Sequence, residues 1–236
     1  MRSSERHHLK EDQFAAATMD KLSWAVEHRN PMLLGGTILI VVLLLLIGGF
    51  YYQQSREQKA SALLGEALQQ YSAPIVPAGT PAPPGQPVFS SVTDRAKAAS
   101  NKLIEVSEKY GRTDSGTLSN YFLGLCAQDM SDNGKAEEYF RKVSDSGNKD
   151  LAALAKNALA SLYHDTNRDQ LAIDIYKQLI EKPTNTVPKA SAQISLADLY
   201  SAKDPSQARK LYEEVQKDNS DNPIGQLAST KLQALK

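Results

Sequence analysis

The sequence predicts an all-α protein: an N-terminal transmembrane helix, then a solenoid of helical hairpins closed by a single capping helix. Three observations predict it. Residues 32–52, MLLGGTILIVVLLLLIGGFYY, form 21 positions without a charge. The segments GKAEEYFRKV (134–143), QLAIDIYKQL (170–179) and SQARKLYEEV (206–215) repeat an alanine followed four residues later by an aromatic. Upstream of each alanine, Leu123-Gly124, Leu159-Ala160 and Leu196-Ala197 share one phase of a second helical pattern.

The apolar segment comes first. A helix of that length rises about 31 Å, the hydrocarbon thickness of a bilayer. It is too long for a signal-peptide core, 31 residues precede it, and no small-x-small cleavage site follows. The expectation is a retained signal anchor, with Tyr51 and Tyr52 at the headgroup boundary. Residues 1–31 then form a tail with an amphipathic helical pattern in Ala15, Met19, Leu22 and Val26, ended by Pro31. The tail carries Arg2, Arg6, Lys10, Lys21 and Arg29, whereas the first twenty residues after the span carry only Arg56 and Lys59. Over the whole tail this bias places the N-terminus in the cytoplasm and residues 53–236 on the other side.

Residues 53–236 hold 22 basic and 22 acidic residues, so no basic footprint for nucleic acid exists there. The single cysteine, Cys126, excludes an intramolecular disulfide within the chain and sits in the apolar stretch FLGLCA, where it reads as a small buried hydrophobe.

The repeat supplies the architecture. The alanines of the pattern, Ala136, Ala172 and Ala208, are 36 residues apart, and their aromatics are Phe140, Tyr176 and Tyr212. An earlier copy places Ala99 and Leu103 in the same phase, 37 residues before Ala136. Upstream of each alanine stands a second pattern: Leu123-Gly124, Leu159-Ala160 and Leu196-Ala197, with Tyr163 and Tyr200 four residues after the last two leucines. A small residue in one helix and an alanine-aromatic pair in the next let two helices approach closely while the ring fills the wedge between hairpins. Leu64-Gly65 has the first-helix phase of an additional copy, separated from its second helix by a six-proline insertion at 72–92. Proline removes a donor and restricts the residue before it, so this insertion is expected to be an extended or disordered loop. Asn222-Pro223 offers an N-cap and a first helical position for a solitary terminal helix over 223–235, whose polar side faces water where another repeat would stack.

These motifs resemble the tetratricopeptide repeat, with copies at 117–148, 153–184 and 190–220. The family's first-helix tryptophan is absent, Ala127 stands at the first aromatic position, and the third turn, between Tyr200 and Ala208, is one residue shorter than the second. The resemblance implies a binding face built from the first helix of each hairpin. Carried over from the Leu-Gly phase, its positions are Tyr121, Leu125 and Gln128, then Asn157, Ser161 and His164, then Ile194, Asp198 and Ser201. This set has no cationic clamp.

Catalysis is not expected. Of four histidines, only His164 lies beyond the span, and the sequence holds no GxSxG, P-loop or GxGxxG. No cofactor or metal is implied. A single span followed by a degenerate repeat array resembles the family of the ancillary subunit of the bacterial Sec translocon. That resemblance implies a single-pass inner-membrane scaffold with a periplasmic array, whose partners are the translocon, periplasmic chaperones or unfolded chains. A scaffold for a division or secretion apparatus is the alternative, and oligomeric state is open.

Overall fold

The computed structural model describes Met19, residues 29–77 and residues 87–235. The described residues divide into two units, Met1–Ser55 and Arg56–Lys236. The amphipathic pattern read in the tail lies outside the described residues except for Met19, which is helical and exposed.

The first unit contains most of one apolar helix. Helix α1 covers Arg29–Tyr71, so Pro31 falls in its first turn, where a missing N–H costs little. By length and composition this helix can cross a membrane, and none of its apolar window is buried. The polar group of Thr37 is satisfied within the helix, its hydroxyl donating to the carbonyls of Leu33 and Leu34 at 3.0 and 2.8 Å. That back-bonding makes a hydroxyl tolerable in an apolar surrounding.

The second unit is a stack of hairpins. The last part of α1 pairs with α2 (Val92–Tyr110), α3 (Asp114–Asp129) with α4 (Asn133–Ser144), α5 (Lys149–Asp165) with α6 (Asp169–Glu181), and α7 (Lys189–Tyr200) with α8 (Pro205–Asp218); α9 (Pro223–Ala234) closes the stack. Consecutive helices from α2 onward pack on one another, and α3 also touches α5, as α7 touches α9. The protein is therefore an all-α hairpin solenoid preceded by a long apolar helix.

Every alanine of the repeat, Ala99, Ala136, Ala172 and Ala208, is fully buried, and Leu103, Phe140, Tyr176 and Tyr212 pack beside them. The clearest case of close approach is Gly124. A Cβ built there would stand 2.5 Å from Cε1 of Phe140, so the ring of α4 lies directly on the backbone of α3. In the first hairpin the fit differs from the sequence expectation. Leu64 is buried, but Gly65 faces open space, and Ala60 and Ala67 make the contact with Ala96, Ala99 and Leu103. Spacings of four and three residues from Leu64 keep those alanines on its face, whereas Gly65 is turned about 100° away.

Turns and caps follow from local chemistry. Ser131 and Asn167 take left-handed backbone, φ 60° and 58°, just after α3 and α5. Asp132 and Arg168 then donate back to the carbonyls of Ala127 and Tyr163 at 2.8 and 2.7 Å. The shorter third turn lacks such a residue, and Asp204 N–H instead reaches the Tyr200 carbonyl at 2.7 Å. Asn222 caps α9 as its sequence position implies, its Oδ1 accepting from Ile224 and Gly225 at 3.0 and 3.2 Å. The ends of the proline-rich insertion are ordered: Val76 N–H donates to the Phe89 carbonyl at 2.9 Å, and Phe89 N–H to that of Pro74 at 3.1 Å. They form a single bridge between Ile75 and Phe89.

One long-range cap was not visible in the sequence. The Glu57 carboxylate accepts from the backbone N–H groups of Asp114 and Ser115 at 2.9 and 3.1 Å and from the Ser115 hydroxyl at 2.5 Å. A carboxylate at the start of α3 satisfies free donors and suits the positive end of the helix dipole.

Two stability predictions follow from this packing. Ala172→Leu would overfill the α5/α6 crossing and cost about 1–3 kcal/mol in denaturant unfolding of the full chain in mild detergent. Glu57→Gln would cost about 1 kcal/mol in the same assay, through loss of a charged cap. Unchanged unfolding midpoints would contradict each assignment.

Candidate functional site

The nine positions inferred for the binding face meet different fates, because the repeat uses some of them for its own cohesion. Tyr121 is half-buried, its ring 5.7 Å from those of both Phe122 and Phe140. Leu125 is likewise half-buried against the central core. Ile194 is 6% exposed in a core with Tyr212, Val215 and Ala228, so it contributes packing and presents no contact surface. The closing helix α9 covers it. Gln128 and Asn157 are half-buried and Ser161 is exposed, and the side chains of these three make no hydrogen bond among the described residues.

The remaining three are occupied internally. His164 Nδ1 lies 2.7 Å from Oδ1 of Asp169, the same carboxylate that pairs with Lys203. The hydrogen bonds from Lys203 and His164 hold the Asp169 carboxyl below its usual value. Asp198 accepts from the Tyr212 hydroxyl at 2.5 Å and from Lys231 Nζ at 2.6 Å, joining α7, α8 and α9. Burial pushes the Tyr212 hydroxyl far up its titration range, and Asp198 reinforces that shift. The Ser201 hydroxyl donates to the backbone carbonyl of Asp198 at 2.6 Å.

Three of the nine nevertheless converge. Ser161 and His164 of α5 meet Asp198 of α7 in a cleft of about 170 Å³, completed by Tyr176, Ser195 and Leu199. Its lining is hydroxyls, one imidazole and one carboxylate, with a single aliphatic wall. Such a set can pair with backbone amides or seat one polar side chain. Among the described residues, no group of three or more His, Cys, Asp and Glu side chains could hold a metal ion. Cys126 is fully buried, and burial pushes its thiol up to about 11, which leaves it a protonated packing group at neutral pH.

Sequence reasoning missed the polar staple behind this face. Glu137 of α4 accepts from Arg168 at 2.7 Å and from the Tyr163 hydroxyl at 3.1 Å, and pairs with Arg141 at 2.7 Å. Arg141 also donates to the Tyr163 hydroxyl at 2.8 Å, and the Arg168 guanidinium lies 4.4 Å from the Tyr163 ring centroid. The helix spacing of Glu137 and Arg141 is visible in sequence; the reach to Tyr163 and Arg168 needs the next hairpin in place. Burial pushes the Glu137 carboxyl up, but hydrogen bonds from Arg168 and Tyr163 and the charges of Arg168 and Arg141 outweigh it, and the group sits below its usual value.

The family model for the tetratricopeptide repeat-like domain matches residues 28–236. The chain belongs to that family. Among solved structures, the nearly identical tetratricopeptide-like repeats assigned to a kinesin light chain of Podosopora anserina are similar at 18% identity and a TM-score of 0.48. That match covers 59% of this chain and 76% of the other. A single-substitution variant of the same protein gives the same figures. No curated protein matches the chain. A tetratricopeptide-like array is a scaffold for protein–protein contacts, and the first-helix face of this chain carries polar groups able to make them.

The Glu137 staple sets a pH test for this tetratricopeptide-like array. A carboxylate held below its unfolded value stabilises the fold above that value and loses this contribution as pH falls through the folded one. The melting temperature is therefore expected to drop as pH goes from about 5 to about 3. Glu137→Gln should melt lower at neutral pH and show a shallower acid slope. Parallel acid slopes for the two proteins would show that the staple does not couple the hairpins.

Proposed function

We propose that this tetratricopeptide-like protein is a membrane-anchored, non-catalytic scaffold whose α3/α5/α7 face receives an extended segment of a partner polypeptide. The observation that carries the reading is the run of uncommitted polar groups on successive first helices, Gln128, Asn157 and Ser161, ending at the cleft where Ser161 and His164 meet Asp198. An extended chain leaves its own amides unpaired, and hydroxyl and carboxamide side chains at helical spacing can satisfy them. Residues 32–52 span the bacterial inner membrane once, residues 1–31 are cytoplasmic, and the array is periplasmic. The support is an apolar window too long for a cleaved signal and the basic bias of the tail.

Within that reading the partners are the Sec translocon and the chaperones or unfolded chains that meet at its exit. The support is architectural: one span followed by a degenerate array resembles the translocon's ancillary subunit. A tether keeps the array near emerging chains, and the raised effective concentration lets modest affinity suffice.

A periplasm-only reporter fused after Lys236 is expected to be active; activity of a cytoplasm-only reporter there would overturn the topology. A photo-crosslinking residue at Asn157 or Ser161 should capture partners, and one at the exposed Lys177 of α6 should not. Equal capture from all three positions would contradict the face. Mild-detergent co-purification of translocon components supports the partner assignment; recovery of division or secretion proteins instead would replace it with the alternative scaffold.

A further inference from the structure

We propose a second binding site, away from that face: a lysine-lined cleft between α5 and α6 that receives an extended acidic polypeptide segment. The cleft holds about 650 Å³, within the range of ligand-sized sites. Lys149, Lys156 and Lys182 stand on it, with Glu181 as its single acidic residue. Six lysines of the array pair with Glu66, Glu105, Asp132, Glu214, Asp169 and Asp198, and none of these lines the cleft. The three cleft lysines have no carboxylate partner among the described residues. In an array of balanced charge, a concavity with two surplus positive charges is a local attractor for anions.

Its position on α5 separates it from the first face. Lys149, Ala152, Ala153 and Lys156 follow the i, i+3, i+4, i+7 spacing of one stripe, whereas Asn157 begins a stripe about 100° around the helix. The floor selects a polypeptide. Ala152 and Pro183, which reach solvent above buried Ala153 and Leu179, give a small apolar bed for a side chain, and the Gln178 carboxamide at the rim can pair with a backbone amide. Lys149 and Lys156 are seven residues apart, about 10.5 Å along the helix. In a polyproline-type extended chain, residues three apart share a face about 9.3 Å apart. Two carboxylates at that spacing reach both lysines while an intervening apolar side chain meets the floor, and Lys182 closes the opposite wall.

The probe is a fluorescein-labelled extended peptide with two glutamates three positions apart and a leucine between them. Its binding to the full chain in mild detergent is read by fluorescence anisotropy. Binding is expected to weaken with salt. Replacing both glutamates by glutamine, or introducing Lys149→Gln, Lys156→Gln and Lys182→Gln together, should weaken it at least about tenfold. Circular dichroism of the triple variant should match the wild type, since all three side chains border solvent. Ser161→Tyr, which blocks the first face, should leave this binding unchanged. Failure of wild-type binding, equal binding of the glutamine peptide, or unchanged binding by the triple variant would overturn the proposal. Displacement by inorganic phosphate at equal concentration would instead define a free-anion site, and displacement by phosphatidylglycerol vesicles a lipid site. Either result overturns the polypeptide assignment.

Discussion

The array depends on one steric constraint: within a hairpin, a side chain near zero in size must face the ring or branch that fills the wedge. Gly124 beneath Phe140 shows the constraint at its tightest, with no room for even a Cβ. Ala160 beside the α6 core and Ala197 beside Tyr212 are its relaxed forms, where the approach leaves space for a methyl group. Once this contact sets the distance between paired helices, the aromatic of each second helix is fixed, and the next hairpin packs against it. The three cores, centred on Leu103, Phe140 with Tyr176, and Tyr212, are successive products of that contact. Close-packed interiors give such contacts little room to adjust.

Polar residues then decide how hairpins lock together and what remains for partners. Glu57 at the start of α3, Glu137 between Tyr163 and Arg168, and Asp198 between Tyr212 and Lys231 each join elements that packing has already brought close. They use groups that a binding face would otherwise present. What is left on the first-helix face, Gln128, Asn157 and Ser161, is suited to an extended chain, and the unpaired lysines of the α5/α6 cleft are suited to an acidic one. The two surfaces differ in chemistry, one carrying hydroxyl, imidazole and carboxylate groups and the other mainly lysines.

The helical hairpins were legible in sequence because the alanine-aromatic spacing is local and recurs with a period near the length of one hairpin. Caps were legible for the same reason: Asn222-Pro223 carries its geometry in two adjacent residues. Gly65 misled because a Leu-Gly pair alone does not say which neighbour faces the partner helix; Ala60 and Ala67 occupy that side. Ile194 misled because a fixed offset from Leu196 cannot register that α9 covers the last hairpin. His164 and Asp198 line one cleft, and their partners Asp169, Tyr212 and Lys231 belong to contacts that only the folded stack creates. The Glu57 cap spans 58 residues to Ser115 and leaves no trace in local pattern.

The constraint at Gly124 is tested most directly by a double-mutant cycle with Phe140, read by denaturant unfolding of the full chain in mild detergent. Gly124→Ala in the wild-type background should destabilise the protein, because the new methyl meets the ring. In a Phe140→Leu background, which lacks the ring edge, the same change should cost little or stabilise, since alanine exceeds glycine in helix propensity by about 1 kcal/mol. An equal cost of Gly124→Ala in both backgrounds would show that the glycine is not there to admit the ring, and the packing account would fail.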